Sequence, residues 1–419
     1  MIMKKFMMMA MMAAAATTTF AQDALVKEAK KQFSKKEFDA AVQTLTPALK
    51  SAETVDKAAA WNLLTDIYYQ QYSDLADAAV KSAMTHENVD SASMYKFAIK
   101  AWESAVVTDE YDQQPDAKGK VKRKFLAGNQ NRFKPMTAVF VQGGQYFYGK
   151  KENEEAAHLW KAYADMRETS VFAEMPEKDF PKEPFYADIL YYASFLSYQL
   201  QNYPDAIKYA KKSLEADPSK KDDCDEIMLF AMKDGSKTAA DSLEYLNFVK
   251  AEHKANPENE RYFNLLMDYY RNADAKVKEA WLDEEITVNP NNKMAYAIKG
   301  EAMMNSEKWD EAVAAFKKAV EIDPSWVPCM FNIGICLNSK AIALYDELMD
   351  KKTMGLTPEN AEKVKAVLKD ALVYLEKTRE LDPDQLETKW AYPLYRIYYS
   401  LQDKEKMAEL EAIDPSLKN

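Results

Sequence analysis

In the stretch SEKWDEAVAAFKKAVEIDPS, Ser306–Ser325, apolar and charged residues fall on opposite faces of a helix, and small residues hold the inward places. Ala312 and Ala319 sit two helical turns apart with Phe316 between them, Trp309 before them and Asp323-Pro324 closing the run. The preceding segment offers a partner helix, with Tyr296 as its large residue and Gly300 one turn on. Gly300, Ala312 and Ala319 lack bulk where two antiparallel helices would cross, while Tyr296 and Phe316 fill the space beside them. Pro324 cannot continue the helix and forces a turn. The pattern predicts a helical hairpin over Lys293–Ser325.

The hairpin repeats. Asp-Pro or Asn-Pro ends recur at Pro218, Pro257, Pro290, Pro324, Pro383 and Pro415, with spacings of 39, 33, 34, 59 and 32 residues. A period near 34 residues marks a two-helix repeat. The pattern of a large residue, Gly and Tyr, then Ala, an aromatic, Ala and Pro, resembles the tetratricopeptide repeat family. Looser copies carry Leu190, Tyr203, Ala206, Ala210 and Pro218; Tyr262, Leu265, Tyr269, Leu282 and Pro290; and Phe140, Gly144, Phe147, Ala156 and Trp160. Near the N-terminus, Phe38, Ala41, Leu45 and Ala48 resemble a second helix. Trp61, Leu64 and Tyr68 open a unit that resumes at Ala98, Trp102 and Ala105.

The unit after Pro324 has Gly334 at the glycine position and is about 25 residues too long for the period. Its excess, at 340–362, predicts two extended helices joined around Gly355, with Thr357 as cap and Pro358 as first-turn proline of the second. The expected organisation is a signal peptide over 1–21, about three units with insertions over 22–172, a proline-containing linker over 173–186, and five to six units over 187–419. The resemblance implies an all-α fold, a right-handed superhelical solenoid of stacked antiparallel helix pairs whose first helices line a concave groove.

Composition agrees with a helical chain. Only 9 glycines and 16 prolines occur in 419 residues, few for an all-β or loop-rich protein. A net charge of -11 argues against non-specific nucleic-acid binding. The N-terminus reads as an export signal: Lys4 and Lys5, an apolar run from Phe6 to Ala16 too short to span a bilayer, and small residues before a cut at Ala21-Gln22. The periplasm is the expected destination, and no later segment is expected to cross a membrane. The odd set Cys224, Cys329 and Cys336 predicts buried free thiols rather than a disulfide framework.

Candidate chemistry is sparse. His86, His158 and His253 show no metal-ligand spacing, and nucleophile-elbow, phosphate-loop and dinucleotide fingerprints are missing from the sequence. The expectation is a non-enzymatic chain without cofactor or metal. The 25 tyrosines are more informative. The family pattern places Tyr69, Tyr148, Tyr198 and Tyr270 at one equivalent position late in the first helix, with Tyr191, Phe195 and Phe263 projecting to the same side. They are candidates either for binding a peptide in the groove or for packing between units. Lys118, Lys120, Lys122, Arg123, Lys124, Arg132 and Lys134 form a basic run with no acidic residue inside it, a candidate patch for an anionic surface or a solvated loop. The family's carboxylate clamp is matched at Asn264 and Asn332 but lacks its lysines, so that function is not expected. The favoured function is an exported scaffold binding protein or peptide partners, with self-association left open. The alternative is a glycan-binding or glycan-uptake accessory protein of the envelope.

Overall fold

The computed structural model describes residues 22–115 and 118–418, so the expected export signal and its cut lie outside the described residues. Among those described, the regular structure is helical throughout, apart from one bridge between Asp350 and Gly355. The fold is an all-α solenoid of stacked helix pairs. It divides into two compact units, one running to Tyr245 and the other from Leu246.

In the first unit α1 (22–34), α2 (Phe38–Lys50) and the start of α3 (Lys57–Thr85) enclose Ala41, Leu45 and Ile67. The interruption expected after Tyr68 is instead continuous helix: α3 runs for 29 residues and pairs with the 22-residue α4 (Ser91–Asp112). Next come α5 (Leu126–Phe133), α6 (Thr137–Gly149), α7 (Asn153–Asp165), α8 (Tyr186–Gln199), α9 (Tyr203–Ala216), α10 (Lys221–Gly235) and α11 (Ala239–Ala255), the last containing the boundary between units. One core runs without a break from Ala98 to Tyr209.

That core crosses the segment expected to be a linker. Phe172 and Phe180 are buried with rings 4.6 Å apart, and Phe172 stacks on Trp102. Arg167 spans the prolines from inside, donating to Pro181 O and Glu183 Oε2, each at 2.7 Å, with its guanidinium 4.2 Å over Phe180. The prolines keep 173–185 out of regular structure, but Phe180 still leaves water, as does Tyr186 at the start of α8, while Phe185 stays 40% exposed. The segment is part of the first unit's core, and the division falls some sixty residues further on.

The second unit contains α12 (Glu260–Tyr270), α13 (Ala275–Val288), α14 (Lys293–Asn305), α15 (Trp309–Ile322), α16 (Val327–Leu348), α17 (Pro358–Leu381), α18 (Ala391–Leu401) and α19 (Lys404–Ile413). The predicted hairpin is α14–α15. Ala312, Phe316 and Ala319 are fully buried, and a Cβ on Gly300 would stand 2.7 Å from the Phe316 ring. The extended hairpin is α16–α17. Thr357 Oγ1 accepts from Asn360 N at 3.3 Å, and Pro358 opens α17. By length and composition α16 could span a membrane, contrary to expectation. In the fold it is a core helix, with Cys329, Ile333 and Cys336 buried beside Leu375.

The repeat ends are more specific than proline alone requires. At Asp217, Asp323 and Asp414 an Asp-Pro-Ser sequence folds so that the Asp carboxylate accepts the Ser amide, at 2.9, 3.1 and 3.0 Å. Proline stops one helix while the aspartate stabilises the turn toward the next.

Candidate partner-binding site

The most exposed of the expected aromatics belong to a strip across α6, α7 and α8. It begins with a close helix approach. A Cβ at Gly144 in α6 would lie 2.1 Å from Trp160 Nε1 of α7, so only glycine admits the indole, which donates to Val141 O at 3.2 Å. Trp160 is buried and supports a ring on each side: Tyr148 at 5.7 Å and Tyr192 at 5.4 Å between centroids. Tyr192 meets Tyr191, which stacks on Phe195 at an interplanar angle of 22°. Tyr148 and Tyr192 remain 43% and 42% exposed, so two tyrosine faces stand in water over a rigid tryptophan. Tyr192 was not a sequence candidate. It lies beside Tyr191 but takes its exposure from the turn of α8, which the repeat pattern could have supplied.

The other candidates divide between packing and the surface. Tyr191, Phe195 and Tyr198 are half-buried against Ala206, Ile227 and Ala231. The Tyr198 hydroxyl donates to Asp234 Oδ2 at 2.9 Å, and this bond, ahead of burial, raises its pKa. Tyr69 lies under the Arg132 guanidinium, 4.7 Å from its ring, and against Phe133. In the second unit Phe263 and Tyr270 are interior: both are buried, stacking on Trp281 at 5.9 and 4.9 Å. Trp281 from α13 takes up one side of both rings, and Phe263 also borders a cavity of about 430 Å³ with Asn264 and Asn292.

The basic run is largely answered by carboxylates from elsewhere in the first unit. Arg123 makes a two-pronged contact with the buried Asp109, at 2.8 and 3.1 Å, and reaches Glu174 and Ser170 O. Lys124 pairs with Asp56 and Arg132 with Asp66, at 3.2 and 2.8 Å. Lys118, Lys120, Lys122 and Lys134 remain exposed. The run's lysines face solvent, while Arg123 ties the segment before α5 to α4 and Arg132 ties α5 itself to α3.

Sequence reasoning also missed a buried pair in the second unit. His253 Nε2 lies 2.7 Å from Glu285 Oε2, both residues about 2% exposed, while Asn292 donates to the other carboxylate oxygen at 2.8 Å. They border a cavity of about 150 Å³ with Trp281 and Leu266. The signal was present: 32 residues separate the two, close to one repeat. Among the described residues no group of three or more His, Cys, Asp or Glu side chains gathers to hold a metal.

No family model matches the chain. It is similar over short stretches to the peroxisomal targeting signal receptors of Kluyveromyces lactis, 26% identical over 121 residues, and Candida glabrata, 24% over 118. These matches cover 29% and 28% of this chain, and 21% and 19% of those receptors, so the chain spans about a fifth of their length. Among solved structures it is similar to a TPR repeats protein from Bacteroides fragilis, at 12% identity and a TM-score of 0.28, covering 63% of this chain and 98% of that one. A second is the TPR2AB-domain:pHSP90 complex of yeast Sti1, at 16% identity and a TM-score of 0.25, covering 64% and 99%. At these TM-scores neither superposition carries an argument about partners.

Proposed function

We propose that this chain is a partner-binding scaffold whose first unit offers the strip Tyr148–Trp160–Tyr192–Tyr191–Phe195 to a protein or peptide. The observation that carries this is the pair of exposed tyrosine faces fixed by a buried tryptophan. Rigid aromatics lose little conformational entropy on binding, and their hydroxyls meet the polar groups of a peptide backbone. The Asp234-bound Tyr198 and Phe230, ring centroids 6.3 Å apart, extend the aromatic surface on α8 and α10. Export forms part of the proposal, on the strength of Lys4, Lys5 and the apolar run that follows.

The test is affinity capture from crosslinked cells with the wild-type chain and with Tyr148→Ala/Tyr192→Ala. Both substituted residues are exposed, so helicity should be unchanged. A protein captured by the first and lost by the second supports the strip. Equal capture by both sinks it. N-terminal sequencing of the chain recovered from the envelope checks export, with Gln22 expected as the first residue.

A further inference from the structure

We propose that the overhanging end of the α16–α17 hairpin is a second docking site, a groove that takes a short amphipathic helix of a partner bearing acidic side chains. The inference rests on the scaffold reading but not on the aromatic strip. α16 and α17 have 22 and 24 residues, whereas α18, which packs against α17 next, has 11. At 1.5 Å per residue, about 16 Å of the hairpin extends past the length α18 can cover. A cavity of about 660 Å³ opens there, lined from all three helices.

Its floor is apolar and partly in water. Ile342 is 56% exposed and Tyr345 38%, facing Val364 and Leu368 of α17 across the groove. Residues three and four apart on two antiparallel helices form ridges that accept a third helix, and α17 already accepts α18 lower down. This also gives a reason for the unusual apolar content of α16: the helix carries more apolar surface than its own unit covers.

Charge chooses the occupant. Lys365 and Arg396 line the groove and no carboxylate does. Lys365 reaches Glu362 at 3.0 Å, outside the lining. Arg396 is exposed and has no ion-pair partner among the described residues, while Arg123, Arg132, Arg167, Arg271 and Arg379 each meet a carboxylate. In a chain with 67 acidic against 56 basic residues, an arginine left unanswered beside an apolar groove fits an acidic partner.

The probe is a phage-displayed library of segments about 12 residues long, aliphatic at helix-face spacing and free to take Glu, Gln or Lys elsewhere, panned on the full chain. The expected result is enrichment of Glu at one register, with affinity falling about tenfold or more in Arg396→Glu and in Ile342→Glu. Lys versions of the same segments should recover on Arg396→Glu/Lys365→Glu. Tyr148→Ala/Tyr192→Ala should bind as the wild type does. Both single-site residues are exposed, and unchanged melting curves separate lost binding from lost folding. Gln or Lys selected as often as Glu, or affinity indifferent to both substitutions, overturns the proposal. So does binding to phosphatidylglycerol vesicles, or self-association, that Ile342→Glu abolishes while no peptide is selected, since a lipid surface or a second copy would then be the occupant. Failure here with the strip's captured partner intact sinks the groove alone; failure of both sinks the scaffold.

Discussion

Gly144 and Gly128 are both helical glycines, and the structure assigns alanine opposite effects at the two positions. At Gly144 a new Cβ would lie 2.1 Å from Trp160 Nε1 and 2.4 Å from Cδ1, where ordinary contact begins at 3.4 Å. Trp160 is buried and its indole N–H is bonded to Val141 O, so it cannot turn aside without breaking that bond and moving Tyr148 and Tyr192. Overpacking of this kind costs about 1–3 kcal/mol, and a lost hydrogen bond about 1 kcal/mol. Alanine's better helix propensity offsets about 1 kcal/mol. Packing wins, and Gly144→Ala should destabilise the first unit by about 1–3 kcal/mol. Gly128 in α5 has nothing within 4 Å of its added Cβ, so Gly128→Ala keeps only the propensity gain, at most about 1 kcal/mol. Urea unfolding followed by circular dichroism gives the sign. Amide exchange in peptides from α6 and α7 assigns the change to the first unit. Equal shifts for the two variants, or a stabilised Gly144→Ala, would refute the reasoning about the helix crossing.

Arg123→Met leaves Asp109, 1% exposed, without its cation and should lower stability by about 3 kcal/mol; Lys134→Met, at an exposed site, should stay within about 0.5 kcal/mol, and similar urea midpoints for the two would contradict the pairing. Asp323 is held at about 2, below its ordinary 3.8, first by the bond from Lys293 and then by Ser325. Its contribution is therefore complete above the ordinary value and lost as pH falls through about 2, and Lys293→Met should raise the carboxyl pKa measured by NMR titration. Burial pushes the Cys329 and Cys336 thiols up to about 12 and about 11. Both should resist a thiol reagent at pH 8 in the native chain and react at once in denaturant, and fast native labelling would mean that α16 opens.

The helix pairs were legible because crossing geometry tolerates few residues. Gly300 and Ala312 record where backbones meet, and the 59-residue interval announced the α16–α17 extension. What one chain position cannot record is what stands opposite it. The repeat pattern gives Tyr148 and Tyr270 one expected place, yet one is exposed and the other lies on Trp281. The run from Lys118 to Lys134 contains no acid, but folding brings Asp56, Asp66 and Asp109 to three of its cations from as far as 68 residues away. Prolines concealed the packing of 173–186, because a segment without helical periodicity can still bury Phe180, here against Phe172 just before it. In the same way, the break expected after Tyr68 is unbroken helix: no proline or glycine follows to stop α3, and Ala76, Ala78 and Ala79 favour its continuing.

The composition of α16 also matters while the chain is being made. Eight Val, Ile, Leu and Phe residues among its 22 would together favour insertion into a bilayer by about 4 kcal/mol, and Lys340 near the middle opposes it by about 3 kcal/mol. If the proposed export holds and the chain crosses a channel before it folds, that near-balance makes α16 a segment in which translocation can stall. In the finished protein α17 covers part of its apolar face, with Leu375 against Gly334, while Ile342 stays 56% exposed. A product truncated before Pro358 would carry α16 without that cover, and membranes rather than the soluble fraction are where such fragments should collect.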